Sequence, residues 1–219
     1  MTWAVFGAGA QGRLTIELLR ALAPAAEAVL VDDDPAHVCE RAPDVPVIAR
    51  GELARRVDLA TARVVVALGD NRARMQVAEE LAAAGATFGI LVHPSAFVSP
   101  SATLGPGTVV FPGALVQSQA SLGEHVIVNT GAIVEHDCVI ANGASLSPGC
   151  RTGGRALVGL GAFLGVGVTL APRVSVGDRT IVGAGAVVVA DLPPDVVAYG
   201  VPARVVRPLD PASDWRRLL

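Results

Sequence analysis

From Val98 to Val188 an aliphatic side chain returns at every sixth residue. The series runs Val98, Leu104, Val110, Val116, Leu122, Val128, Val134, Ile140, Leu146, then, after one polar member at Thr152, Val158, Leu164, Leu170, Val176, Val182 and Val188. Four residues after each member stands a second class, mostly small, exemplified by Ala102, Ala114, Ala132, Cys138, Ala144, Cys150 and Ala162. A period of six matches neither the 3.6-residue turn of an α-helix nor the two-residue alternation of a strand. It matches a parallel β-helix in which three short faces close each coil. The aliphatic residue then points into the prism on every face, and the small residue points in near a corner, where space is tight. Two-residue corners account for the recurrent Gly, Asn and Asp. About five coils, stacked at ~4.8 Å, predict a rod of roughly 25 Å. No insertion breaks the phase, so no long internal loop is expected to cover a site. Hydrophobic residues make up 52% of the chain and aromatics only 4%, which suits a narrow interior of small aliphatics. The period itself does not fix the hand of the coil.

Before the repeat, apolar runs alternate with helical spacing. WAVFGA (3–8), AVLVDD (28–33), VVVALG (64–69) and FGILVHP (88–94) read as buried parallel strands. RLTIELLRALA (13–23) and NRARMQVAEELAAAG (71–85) read as helices, the second ending at a Gly85 C-cap. Strands alternating with helices predict a parallel α/β sheet of Rossmann-like type. The expected division is an α/β domain over 1–93, a β-helix over 94–207 and a tail over 208–219.

A net charge of −3 with no basic stripe argues against nucleic acid or an anionic membrane as partner. No long apolar run escapes glycine, proline or charge, and the N-terminus lacks a basic segment, so neither a membrane span nor a signal peptide is expected. Cys39, Cys138 and Cys150 show no CxxC spacing. They predict a reduced cytoplasmic setting and no metal cluster.

Two constellations carry chemistry. Gly7-Ala8-Gly9-Ala10-Gln11-Gly12 follows a strand and opens a helix, and Asp32 ends the next strand. This is the GxGxxG arrangement, in which glycines admit a diphosphate to the backbone and the helix N-terminus favours its charge. A nucleotide sugar, NAD or a mere packing turn would each satisfy it, although no hydride-handling domain follows. The second is NTGAIVEHDCVI (129–140). His136 and Asp137 fall at a corner and point out of the prism, and a His beside an acid can act as a general base. A solvated corner pair is the bland alternative, and His125 beside Glu124 has the same form. His93, before Pro94, reads as structural.

The whole chain resembles the bacterial sugar acyltransferases, the family of sialic acid O-acetyltransferases and of the UDP-4-amino-sugar N-acetyltransferases of bacillosamine synthesis. VFGAGAQG (5–12), VDDD (31–34), VALGDN (66–71), HPSAFVSPSATLG (93–105), NTGAIVEHDCVI (129–140), FLGVGVTLAP (163–172), IVGAGAVVV (181–189) and YGVPAR (199–204) carry the resemblance. It implies a left-handed β-helix, a homotrimer with active sites between subunits, and acetyl-CoA as co-substrate. His136 becomes the base, Asp137 its supporting acid, and Asn129 part of the acceptor pocket. Gly9, Ala10 and Gln11, with Asp32, Asp33, Gly69 and Asn71, fall near the nucleotide. CoA contacts fall on Ser145, Val166 and Ala184. The family often has His where this chain has Gln11 and Ser145, and Glu where it has Asp137. The expected reaction is N-acetylation of a nucleotide-linked amino sugar. O-acetylation of sialic acid or another sugar hydroxyl, and a non-catalytic scaffold or sensor, are the alternatives.

Overall fold

The buried runs near the N-terminus pair into one parallel sheet. The computed structural model describes residues 2–34, 44–59 and 61–210. In it β1 (Thr2–Phe6), β2 (Glu27–Val31), β3 (Val47–Ile48), β4 (Arg63–Val66) and β5 (Thr87–Phe88) lie in the order β3-β2-β1-β4-β5. β1 is central and buried from Trp3 to Phe6, which is why its sequence is a continuous apolar run rather than an alternation. Helix α1 (Ala10–Leu22) connects β1 to β2 and buries Ile16, Leu18 and Leu19. It starts three residues before the apolar spacing predicts, so the glycine loop runs straight into its first turn. A short α2 (Leu53–Arg56) precedes β4, and α3 (Asn71–Ala83) leads from β4 to β5. Asp70 caps α3 by accepting the Ala73 N–H at 2.8 Å. At its other end Gly85 adopts φ +84°, its N–H donates to Ala82 O, and the Ala86 N–H returns to Leu81 O, the Schellman closure the Gly85 signal predicts.

The single strand expected over 88–94 is two. Phe88 pairs with β4, whereas Leu91–Val92 pairs with Val109–Val110 and is already the first rung of the prism. Gly89 separates them under the Trp3 ring, where a Cβ would come within 2.3 Å of a ring carbon.

The rest is a left-handed parallel β-helix. Two-residue strands stack on three faces: the first from Leu91–Val92 to Ile181–Val182, the second from Phe97–Val98 to Val187–Val188, the third from Thr103–Leu104 to Ser175–Val176. The second residue of each strand points inward, and the predicted series is buried from Val110 to Val188, Thr152 included. Val98 and Leu104, in the first coil, are only partly buried. Val196–Gly200 and Ala203–Pro208 close the far end as a hairpin on Ile181–Val182. The α/β domain sits on the first face, where Leu91, Val109, Phe111 and Ile127 pack with Trp3, Leu18, Leu19 and Val65. His37, Cys39 and residues 211–219 of the predicted tail lie outside the described residues.

Candidate active site

From the second coil to the fifth, each corner of the prism sets one residue in the left-handed region. After the first face that residue is glycine in five successive coils, from Gly113 to Gly185. After the second face it is Gln119, Asp137, Arg155 and Arg173, with φ of 58, 58, 64 and 64°. A side chain costs roughly 1 kcal/mol there relative to glycine. This corner therefore retains side chains that its backbone geometry disfavours.

His136 opens that corner and Asp137 closes it. His136 Nδ1 lies 2.8 Å from Asp137 Oδ2, and Arg155 Nε, one coil on, lies 3.5 Å from the same oxygen. The His136 hydrogen bond foremost, with Arg155 behind it, holds the Asp137 carboxyl below the usual carboxylate range. An ionised carboxylate can only accept, so the imidazole proton belongs on Nδ1 and Nε2 keeps its lone pair. The ring lies over Gly154, where a Cβ would stand 2.5 Å from Nε2. His136 is 53% exposed. The thiols behind the corners offer no competing nucleophile: Cys138 and Cys150 are fully buried, and burial pushes Cys150 up to about 11.

The other His–acid corner is closed. His125 is 3% exposed, edge-on to Phe88 at 4.5 Å, and its Nδ1 has no hydrogen-bond partner. Burial first, then the Arg74 charge, pushes its pKa down to about 4. Exposure thus separates two pairs that look alike in sequence. His93 Nδ1 accepts the Ser95 N–H at 3.1 Å, a local contact within the turn that leads into the prism.

At the carboxyl end of the α/β sheet, Gly7 adopts φ +105° with Ala67 O 2.8 Å from where its Cβ would stand, and Gly12 rests directly on Gly7 O. Those two glycines serve packing. Gly9 caps α1 with open space around it, and Ala10 and Gln11 begin the helix. Asp32 is engaged by the loop itself: Oδ2 accepts the Ala8 N–H at 2.7 Å and Oδ1 the Asp34 N–H at 3.0 Å. Asp33 accepts the Arg50 N–H at 2.8 Å, while the Arg50 guanidinium lies over Phe6 and pairs with Glu80. Phe6, Gly7, Asp32, Asp33, Arg50 and Leu68 line a cleft of about 150 Å³. It sits where the strand order reverses, the usual ligand position in an open parallel sheet. Gly69 lies in the loop from β4 to α3 at the same end.

Two expected site residues are elsewhere. Asn71 donates to Gly161 O and Ala162 O, both at 3.0 Å, and accepts from Ser145 Oγ at 2.7 Å and from Arg74 at 2.8 Å. Ser145 is 4% exposed. The cause is Arg74, which reaches from α3 into the first face and donates to Leu68 O, His125 O, Gly143 O and Ser145 Oγ. Burial lowers its pKa to about 9, which leaves it protonated at neutral pH. Asn71, partly buried, and Ser145, buried, therefore help pin the α/β domain to the prism. Asn129, Val166 and Ala184 share the corner after the first face, not that of His136. Asn129 Oδ1 accepts the Thr130 N–H at 2.8 Å, and Val166 and Ala184 are exposed. Arg74, Gly154 and Arg155 went unassigned in the sequence. Their signals were an arginine in phase with Val77, Ala78 and Leu81 on the buried face of α3, and a Gly153–Gly154 pair inside the repeat.

Comparison with known proteins joins these two halves. Residues 3–81 match the family described as the PglD N-terminal domain. Over 109 residues the chain is 36% identical to UDP-N-acetylbacillosamine N-acetyltransferase from Bacillus subtilis, a stretch spanning about half of each protein, 48% of this one and 49% of that one. Solved structures match over nearly the full length. The acetyltransferase domain of PglB from Neisseria gonorrhoeae superposes with a TM-score of 0.88 at 37% identity, covering 94% of this chain and 99% of that one. The same domain has been solved in complex with acetyl coenzyme A. A point mutant of perosamine N-acetyltransferase from Caulobacter crescentus, in complex with CoA and GDP-perosamine, gives a TM-score of 0.87 at 39% identity, covering 94% of this chain and 97% of that one.

Proposed function

The chain belongs to the family of sugar N-acetyltransferases, and from that premise we propose that it moves the acetyl group of acetyl-CoA onto the amine of a nucleotide-linked 4-amino sugar. The observation that carries the reading is the exposed His136–Asp137 pair, with Nδ1 anchored on the carboxylate and the ring resting against Gly154. The neutral amine attacks the thioester carbonyl carbon while Nε2 takes one of its protons. The carbon–sulfur bond then breaks, and the departing sulfur recovers that proton from the imidazolium, leaving as the CoA thiol. Asp137 stabilises the imidazolium between those steps. Base assistance of this kind is worth ~10²–10⁴-fold. The chemistry calls for no metal, and among the described residues no three His, Cys, Asp or Glu side chains gather to hold one.

The nucleotide belongs in the cleft beside Gly9, Ala10, Gln11 and Asp33, with Asp32 shaping the loop and Gly69 near its rim. The relatives point to the acceptor: the Caulobacter enzyme was solved with GDP-perosamine, and the Bacillus protein is named for a UDP-linked amino sugar. The acetyl donor belongs along the corner of Val166 and Ala184 of a second copy, in a homotrimer, with Asn129 on that same corner beside the acceptor. Two features support that arrangement. His136 lies beside the exposed Val139 and Leu157 of the third face, and it sits on a different corner from Val166 and Ala184. No helix among the described residues is long and apolar enough to cross a membrane. Acetyl-CoA and two unpaired buried thiols fit a cytoplasmic setting.

The test is to incubate the protein with acetyl-CoA and a panel of GDP- and UDP-linked 4-amino sugars, following free thiol and the acetylated product by mass spectrometry. Thiol release with at least one amino sugar is expected. Transfer only to a sialic acid hydroxyl would replace the reading with O-acetylation. No transfer to any acceptor would favour the scaffold.

A further inference from the structure

Thr152 is the one member of the aliphatic series that is polar, and it is 3% exposed. Other inward threonines, Thr108 and Thr180, occupy the small corner positions, where a hydroxyl replaces little apolar volume. Thr152 occupies a position that Val, Leu or Ile fills in every other coil, so its hydroxyl sits in an otherwise apolar prism and must find partners. It finds them at both ends of the His136 corner. The Glu135 N–H donates to Thr152 Oγ1 at 2.9 Å, and Cys138 Sγ lies 3.3 Å from the same oxygen. The Cys138 thiol in turn lies 3.2 Å from Gly153 O, which accepts from it. Between Glu135 and Cys138 stand only His136 and Asp137.

The exception reaches the backbone. On the second face the residue after each inward side chain donates its N–H to the carbonyl of the next inward residue: Ser99 to Val116 O, Gln117 to Val134 O, Gly153 to Leu170 O and Ala171 to Val188 O, each at 2.8 Å. At Glu135 the donor goes to the Thr152 hydroxyl instead. The pairing of Ile133–Val134 with Arg151–Thr152 is accordingly reduced to Ile133 opposite Arg151, where the neighbouring rungs of that face pair both residues. The ladder departs from its repeat at the rung that leads into His136.

We propose that Thr152 is a positioning residue for acetyl transfer: by drawing the Glu135 N–H away from the ladder and touching Cys138, its buried hydroxyl sets the backbone of the His136–Asp137 corner and thereby the direction of Nε2. This rests on the functional reading above. A valine would preserve the volume and restore the repeat, allowing Glu135 to rejoin the ladder and turning the corner slightly. Displacement of a catalytic group by about an ångström costs up to roughly 100-fold in rate.

The experiment compares wild type, Thr152→Val and Thr152→Ser in two readouts. In ¹⁵N-histidine spectra of the free protein, with the His136 signals identified by their loss in His136→Ala, Thr152→Val should shift the Nδ1–H resonance bonded to Asp137, and Thr152→Ser should return it. In kinetics, Thr152→Val should lower kcat about 10- to 100-fold with both KM values nearly unchanged, and Thr152→Ser should recover most of the loss. Melting temperature should not fall in Thr152→Val, since the substitution completes the apolar series. Identical His136 spectra in all three proteins would overturn the proposal, as would wild-type kcat in Thr152→Val. If the wild type acetylates nothing, the functional reading falls by itself, and the imidazole resonance still decides for or against Thr152.

Discussion

A general base needs a lone pair that the substrate can reach, and at the proposed base His136 two neighbours bear on it by different means. Asp137 fixes the proton on Nδ1, and Gly154, having no Cβ, lets the exposed ring lie against it without a clash at Nε2. Replacing His136 by Ala should lower kcat by at least about 100-fold while leaving CoA affinity nearly unchanged, because the base acts on the transition state rather than on the cofactor. Asp137→Asn should cost less, since the imidazole remains. Near-normal turnover of His136→Ala in steady-state assays would remove the mechanism. Gly154→Ala is the sharper test. Gly154 is not in the left-handed region, so alanine suits its backbone, but the added methyl would press on Nε2. The variant should fold with an unchanged melting temperature and lose at least about tenfold in kcat, within the range expected for a displaced catalytic base. Unchanged kcat would mean that Nε2 does not face Gly154 during turnover.

At the scale of elements, α3 and the first face of the prism are joined by a buried arginine with no carboxylate in its own hydrogen-bond set, and beside it stands a histidine held neutral. His125 takes up a proton near pH 4 in the fold and near 6.5 when unfolded. Above pH 6.5 both states are neutral and the full stability is present. As pH falls from 6.5 towards 4, only the unfolded chain gains the proton, so stability drops, by on the order of 3 kcal/mol. Urea denaturation across that window should show the loss, and His125→Asn, which tolerates the left-handed backbone, should abolish most of it. An equal loss in His125→Asn would assign the dependence to other groups. The period-six series was legible in sequence because every rung repeats the same inward choice. The His136 corner was legible as a His–acid pair in phase with that series. What could not be read was which pair is covered. His125 and His136 differ in what packs over them, and α3 and Phe88 come from another domain. The cross-domain contacts of Asn71 were hidden for the same reason: Ser145, Gly161 and Ala162 lie 74 to 91 residues away in the chain.

At the scale of the whole molecule, a single prism does not complete the proposed site. His136 stands after the second face and Ala184 after the first, three coils further on, and both are exposed. A threefold arrangement of prisms would bring one corner of each copy against a different corner of the next and close without a leftover face. Sedimentation should then give about three times the chain mass. The decisive measurement mixes two inactive variants, His136→Ala and Ala184→Trp, under conditions where subunits exchange. If each site takes His136 from one copy and Ala184 from its neighbour, a mixed trimer has one interface of three in which both residues are intact. Random assembly of an equal mixture makes about three quarters of the trimers mixed, so activity should recover to about a quarter of the wild-type rate. If both residues of a site came from one copy, every site in every trimer would carry a lesion and nothing would return. Recovery near a quarter therefore places the site between subunits. Absence of recovery, with exchange shown independently by mass spectrometry of differently tagged copies, would confine it to one chain, and a fully active monomer would dismiss the assembly altogether.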